Sequence, residues 1–167
     1  MIKGLHHNAW RCRDSEETRK FYEDFLGLPL CTSLELRESK TGRAVEALHT
    51  FYRLGDGSYL AFFEVPGQPF DFKHQHDFDL HIALEVPRDQ LEPMLAKGRA
   101  AGIESRGVAD HEVIESIYFR DPNGYVIELT ARRSDHDVKM NPAHNDARAK
   151  LEAWQAAKRR RSPEVIS

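Results

Sequence analysis

The chain reads HNAWRCRD at residues 7–14 and HIALEVPRD at residues 81–89, and a helix-like segment follows each stretch. Each of these segments ends in a glycine, Gly27 in the first copy and Gly102 in the second. A tight turn and an apolar strand then close each copy, as GDGSYLA at residues 55–61 and DPNGYVIE at residues 121–128. This internal repetition predicts two copies of one structural unit.

The repeat also brings together side chains that bind metals. Counting four residues from the last glycine of each turn places Ala61 opposite Glu128, while His7 and His81 begin the two copies. Three of these four equivalent positions therefore carry a metal ligand. A lone histidine often packs in a strand, but a carboxylate in an apolar strand is costly to bury without a cation. We therefore expect His7, His81 and Glu128 to be metal ligands.

The ligand types favour a catalytic metal. Two neutral imidazoles and one carboxylate leave coordination positions open, whereas a structural zinc site is closed by four protein ligands. Such a facial set suits Fe(II) in oxygen-activating enzymes. Fe(II) is the expected ion, with Mn(II) or another divalent metal as alternatives.

Composition limits the classes of protein to which the chain can belong. With 167 residues, 40% of them hydrophobic, it can bury one compact core or two small fused ones. A net charge of -3 gives no general attraction to nucleic acid or to an anionic membrane. No stretch reaches membrane-spanning length, and no signal peptide is recognisable. Cys12 and Cys31 lie in predicted strands beside apolar residues, which predicts buried thiols in a reducing, cytoplasmic location.

Hydrophobic periodicity predicts an α+β fold in which each copy is a βαβββ module. The modules occupy residues 1–132: module 1 about 1–66, a linker 67–77 and module 2 about 78–132. The expected strands are 4–12, 30–37, 45–54, 58–65, 78–86, 103–109, 113–120 and 125–132.

A polar tail follows at residues 133–167. Ala147, Leu151 and Trp154 recur there at helical spacing, which predicts a C-terminal helix that docks on its own domain or on a partner subunit through Trp154. The basic run at residues 158–161 suits a solvated helix end, and a localisation or nucleic-acid role is the alternative.

The repeat, the FYEDFLGL segment at residues 21–28 and the DPNG turn at residues 121–124 resemble the vicinal oxygen chelate superfamily. This superfamily includes glyoxalase I, fosfomycin and bleomycin resistance proteins and type I extradiol dioxygenases. The resemblance covers about residues 4–131. It implies two βαβββ modules whose mixed sheets curve around a metal site, in a homodimer or higher homo-oligomer.

A second motif resembles the extradiol signature. His111, Tyr118, the 121–124 turn and Glu128 match that signature in order and spacing, and Ala109 departs from it. If residues 121–124 form a type I turn with a left-handed glycine, counting outwards places Tyr118 opposite Glu128. The resemblance then implies an oxidoreductase of aromatic catabolism, in which Fe(II) and O2 cleave a small aromatic diol.

Proton transfer in that reaction needs an imidazole beside the tyrosine. Tyr118 is one expected catalytic group. The signature favours His111 as the other, while His74 and His76 of the linker compete with it.

Three residues of the first module are candidate substrate contacts. The repeat places Phe51 at the position of Tyr118, and His49 has the same strand parity, so both are expected on the concave face of the sheet. Arg11 lies four residues after His7 on that face, where it would bind a substrate carboxylate. A core histidine and an internal ion pair are the alternatives for His49 and Arg11.

Two other functions use the same fold. A glyoxalase-like isomerase needs a fourth ligand where this chain has Ala61, whereas a fosfomycin-resistance-like transferase uses two histidines and one glutamate. The second alternative is a metal-free small-molecule binding protein of the bleomycin-resistance kind. Proteins of that kind lack the ligand set.

Overall fold

The structure, a computed structural model, describes residues 1–38 and 44–161 and contains the two expected βαβββ modules. The elements of the first module are β1 His7–Cys12, α1 Ser15–Arg19 with a π-helical continuation Lys20–Phe25, β2 Leu30–Glu38, β3 Ala44–Arg53 and β4 Tyr59–Glu64. Those of the second are β5 Ile82–Glu85, a 3₁₀ turn Arg88–Gln90, α2 Leu91–Ala100, β6 Ser105–Asp110, β7 Ile114–Arg120 and β8 Val126–Arg132. The tail adds α3 His136–Lys139 and α4 Ala147–Arg161.

The two sheets have the same topology. Their strand orders are β1-β4-β3-β2 and β5-β8-β7-β6, and in each sheet the first pair is parallel and the others are antiparallel. β1 pairs Ala9 with Ala61, and β5 pairs Ala83 with Glu128. Ala61 and Glu128 are therefore structural equivalents, as the repeat predicts.

Local sequence explains where the first helix begins and ends. The Asp14 side chain accepts a hydrogen bond from the Glu17 backbone N–H at 2.8 Å, which is a typical N-cap. Gly27 follows the helix with φ +81°, a conformation that favours glycine. Phe21, Tyr22 and Phe25 are buried against the sheets.

The core lies between the modules. The Phe25 ring packs edge-on against Phe119 of β7 at 5.1 Å, and one cluster of buried residues includes side chains of both sheets. Ile127 and Leu129 of β8 belong to this cluster. Because successive strand residues point to opposite faces, Glu128 projects from the other face of the sheet.

The structure corrects three expectations. β1 begins at His7 and not at residue 4. β5 begins at Ile82, and residues 77–80 form a turn in which the His76 carbonyl accepts hydrogen bonds from Asp79 and Leu80. Cys12 is buried as expected, but Cys31 is exposed, because it lies on the solvated side of an outer strand.

The tail helix is exposed on its own chain. Trp154 is 64% exposed, so its docking on a partner subunit stays a prediction. Within the described residues, no helix is both long and apolar enough to cross a membrane.

Candidate metal-binding site

The centre of the site is Glu128, which is only 2% exposed. It pairs with Ala83 of β5 on one side and with Tyr118 of β7 on the other. Its flanking residues fill the core, so the fold places its carboxylate on the concave face. A buried carboxylate in this position needs a positive partner.

His81 supplies a nitrogen beside that carboxylate. Its Nε2 atom lies 3.0 Å from Oε2 of Glu128, and its Nδ1 atom lies 2.7 Å from the Asp77 carbonyl oxygen. A carbonyl oxygen only accepts hydrogen bonds, so Nδ1 carries a hydrogen and donates it to Asp77. Nε2 of the neutral ring then presents a lone pair towards a carboxylate oxygen. Two acceptors this close require a shared cation, either a proton or a metal ion.

Tyr118 lies directly opposite Glu128, as counting from the turn predicts. The turn has the expected form: the Gly124 N–H donates to the Asp121 carbonyl at 3.0 Å, and Gly124 has φ +93°. Burial raises the pKa of the Tyr118 phenol, and the Glu128 carboxylate raises it further. The phenol is therefore protonated near pH 7.

His111 and Tyr118 form the pair that the sequence predicts. Nε2 of His111 lies 2.7 Å from the Tyr118 hydroxyl. His111 is in the turn between β6 and β7, where its backbone N–H donates to the Ile114 carbonyl at 2.9 Å. The structure thus places an imidazole, a phenol and a buried carboxylate on one face.

The sequence patterns do not predict two residues of the site, Arg106 and Asp77. The Arg106 guanidinium lies over the Tyr118 ring, 4.3 Å from its centroid, and forms an ion pair with the Asp77 carboxylate. Arg106 pairs with Tyr118 across β6 and β7 because the register shifts by one residue between Gly107 and Ala109. Strand parity alone does not reveal such a bulge.

His7 does not lie beside both His81 and Glu128 in one copy of the chain. Its ring is on the first sheet, 5.5 Å from the Phe51 ring, and its Nδ1 atom is 2.8 Å from Nδ1 of His6. Among residues 1–38 and 44–161, no three His, Cys, Asp or Glu side chains are grouped closely enough to hold a metal ion. One copy of the chain therefore brings two of the three predicted ligands together.

The predicted substrate contacts share the first sheet with His7. His49 is buried, its Nδ1 lies 2.9 Å from the Phe62 carbonyl oxygen, and its ring stacks on Phe63 at 3.6 Å. His49 and Phe51 occupy the expected strand positions beside His7, with ring distances of 6.4 and 5.5 Å. Their role in substrate binding stays a prediction.

Arg11 and His76 make contacts other than the expected ones. Arg11 donates to the Gln68 side chain at 2.9 Å, and within the described residues it forms no ion pair. His76 is exposed in the linker, where its Nδ1 accepts a hydrogen bond from the Phe78 N–H at 3.2 Å. The described hydrogen bonds of His76 lie within the linker and its turn and do not involve Tyr118.

The sequence of residues 4–129 matches the model of the Glyoxalase/Bleomycin resistance protein/Dioxygenase superfamily. The chain belongs to this superfamily. The match includes His7, His81 and Glu128 and excludes the tail.

Two proteins, FosB and FosX, are among the relatives that this chain resembles, and FosX does so in two solved structures. The metallothiol transferase FosB of Shouchella clausii (strain KSM-K16) is 26% identical over 157 residues, which cover 85% of this chain and 92% of that protein. The fosfomycin resistance protein FosX of Listeria monocytogenes, solved with Mn(II) and sulfate, has a TM-score of 0.58 at 22% identity, covering 83% of this chain and all of its own. A glutamate-to-glutamine mutant of FosX, solved with Mn(II) and 1S,2S-dihydroxypropylphosphonic acid, has a TM-score of 0.60 at 21% identity with the same coverage. At these identities the solved structures establish the fold alone.

These relatives overturn the prediction of an extradiol dioxygenase. The assignment to oxidoreductases of aromatic catabolism, and the aromatic diol and O2 as substrates, are wrong, because the relatives are fosfomycin-resistance proteins. The signature misleads because it describes a strand, a turn and a strand with one ligand, and this unit serves several chemistries in one fold. The FosX structures contain Mn(II), one of the alternatives expected from the sequence, and the expectation of iron in particular gains no support from these relatives.

Proposed function

We propose that the protein is a metal-dependent enzyme of the fosfomycin-resistance type, which adds a thiol or water to a small phosphonate substrate. The FosB likeness supports this reaction class, because it extends over 92% of a protein named as a metallothiol transferase. The phosphonate and Mn(II) bound by FosX support the substrate and cofactor classes.

The observation that carries the proposal is the pair formed by His81 and Glu128. A nitrogen lone pair and a carboxylate oxygen lie 3.0 Å apart, and the carboxylate is buried. These are the donor types that Mn(II), Zn(II) and Fe(II) accept. When bound, the metal would act as a Lewis acid that polarises a substrate oxygen.

The third ligand is assigned to His7 of a second copy of the chain. By the repeat, His7 corresponds to His81, which supports an equivalent role for it as a metal ligand. The described part of one chain forms no three-ligand group. A shared site would also bring the other residues near His7, namely His49 and Phe51, to the same substrate.

Tyr118 and Arg106 are the groups that would bind the anionic end of the substrate. The protonated phenol donates one hydrogen bond, and the guanidinium stacked on its ring offers several donors and a positive charge. His111 orients the phenol through its 2.7 Å contact. A phosphonate bound there would be held next to Glu128 and the cation.

The test follows fosfomycin by ³¹P NMR. The protein is incubated with fosfomycin and Mn(II), Ni(II), Zn(II) or Fe(II), with water alone or with cysteine or glutathione. We expect a new phosphonate resonance that requires metal and is lost in His81→Ala and Glu128→Gln. His144→Ala, in the exposed tail, is the matched control and should retain activity. A protein that binds metal but leaves fosfomycin unchanged under all these conditions would contradict the proposed substrate, and absence of bound metal would contradict the site.

A further inference from the structure

His81 precedes strand β5, so the strand does not fix the orientation of its imidazole. β5 begins at Ile82, so His81 stands just before the first residue whose pairing with β8 is fixed. Glu128, in contrast, lies within β8 between two neighbouring strands. The orientation of the His81 ring therefore depends on the preceding turn, where the Asp77 carbonyl accepts its Nδ1–H at 2.7 Å.

The Asp77 side chain fixes that turn to the second sheet. Its carboxylate forms an ion pair with Arg106 of β6, and the same guanidinium lies over the Tyr118 ring. Tyr118 is paired with Glu128 across β7 and β8. Asp77, His81, Glu128, Tyr118 and Arg106 thus form a closed ring of contacts, in which each residue touches the next.

We propose that the Asp77–Arg106 ion pair positions the His81 imidazole for metal binding, and that both residues are positioning residues of the site. This inference rests on the proposed function, because it assumes that His81 and Glu128 hold a divalent cation. Partners that fix the second nitrogen of a histidine ligand generally influence metal affinity. In this chain the carbonyl that accepts the Nδ1–H of His81 belongs to a loop. The ion pair that holds this loop in place therefore determines the orientation of the His81 ring.

The neighbouring Asp79 provides a matched control. It lies in the same turn, and within residues 1–38 and 44–161 its carboxylate forms no ion pair or hydrogen bond. Asp79→Asn changes the net charge of the turn as Asp77→Asn does, but it leaves the contact with Arg106 intact. Any effect of general charge on metal binding will therefore appear in both variants.

The experiment titrates each protein with Mn(II) and counts free ions by electron paramagnetic resonance. We expect Asp77→Asn and Arg106→Gln each to weaken Mn(II) binding about tenfold or more. Arg106→Lys, which keeps the charge, should lose less, and Asp79→Asn should bind like the wild type. The double variant Asp77→Asn/Arg106→Gln should be no weaker than either single variant, because one interaction is removed in all three. Unfolding curves of the metal-free proteins identify any variant that loses affinity by failing to fold.

A second measurement does not depend on metal. Two-bond ¹H–¹⁵N spectra of the metal-free protein report which nitrogens of the His81 ring carry a hydrogen, and we expect Nδ1 to carry one in all molecules of the wild type and in only part of those of Asp77→Asn. Wild-type Mn(II) affinity and an unchanged tautomer in Asp77→Asn would overturn this inference alone. A wild-type protein that binds no Mn(II) would overturn the proposed function as well.

Discussion

The side-chain oxygen of Asn123 accepts a hydrogen bond from the Arg13 backbone N–H at 2.9 Å, although 110 residues separate them. This contact joins the turn between β7 and β8 to the start of the first helix. The Asn123 amide group also donates to Thr18 at 3.2 Å and to Asp121 at 3.1 Å. The DPNG sequence therefore holds the two modules together as well as forming a turn.

Asn123→Ala should destabilise the protein by about 2–3 kcal/mol, because it removes three side-chain hydrogen bonds between or within the modules and takes away the oxygen to which the Arg13 N–H donates. Asn123 is 1% exposed, so water cannot replace the lost bonds without opening the interface. Urea unfolding measures the change. Asn141→Ala, in the exposed tail, is the control and should stay within about 0.5 kcal/mol of the wild type. Equal stabilities of the two variants would contradict this account of the interface.

Gly98→Ala should destabilise the protein although alanine is the better helix former by about 1 kcal/mol. A methyl group at Gly98 would lie 2.4 Å from the buried Phe119 ring and 2.9 Å from the Ser105 hydroxyl. Overpacking of this kind costs about 1–3 kcal/mol. Thermal unfolding compares this variant with Gly98→Ala/Phe119→Leu, in which the ring is removed. We expect Gly98→Ala to lower the unfolding temperature less in a Phe119→Leu background than in the wild type. An equal decrease in both backgrounds would refute steric conflict with the ring as its cause.

Much of this architecture follows from the sequence. The two modules, the equivalence of Ala61 with Glu128 and the pairing of Tyr118 with Glu128 are all predictable, because a period of two and a glycine turn fix strand register. The catalytic chemistry is not predictable in the same way. The hairpin motif that suggests a dioxygenase is shared by proteins of other reactions, so it identifies the fold and one ligand only.

The sequence does not predict the features that depend on irregular backbone. Arg106 faces Tyr118 because of a bulge at Gly107 to Ala109, and Asp77 approaches His81 because residues 77–80 turn instead of extending β5. Neither the bulge nor the turn has a periodic signal. The location of His7 away from His81 also depends on how the modules pack, which strand patterns do not specify.

Glu23 should make stability depend on pH. Hydrogen bonds from the Leu30 N–H and from Arg19 lower the pKa of its carboxyl group in the folded protein. A depressed pKa contributes stability above the unfolded value, which is about 4.3 for glutamate. This contribution is lost as pH falls through the folded pKa. Glu23→Gln should therefore have a lower urea midpoint than the wild type at pH 7. Below about pH 4.3 its midpoint should fall less steeply with decreasing pH than that of the wild type.

Urea midpoints of both proteins at several pH values between 3 and 7 measure this difference. The gap between wild type and Glu23→Gln should narrow as the solution becomes more acidic. A constant gap at every pH would mean that the charge of Glu23 makes no contribution.

The two cysteines should differ in reactivity. Burial raises the pKa of the Cys12 thiol to about 11, so almost no thiolate is present at pH 8, whereas Cys31 is exposed. We expect Ellman's reagent to modify one thiol rapidly in the native protein and both in urea. Cys31→Ser should abolish the rapid phase, and its persistence in that variant would show that Cys12 is accessible.

Mixing two inactive variants tests whether the site is shared between copies of the chain. His7→Ala and Glu128→Gln each damage both sites of a homodimer. If His7 of one copy completes the site of the other, each mixed dimer has one site with both substitutions and one intact site. Equal mixing should then restore about a quarter of the wild-type metal sites, because half of the dimers are mixed and half of their sites are intact. If each site forms within one chain, every site carries one substitution and mixing restores none. The measurement is Mn(II) binding after joint unfolding and refolding, with separately refolded variants as the control.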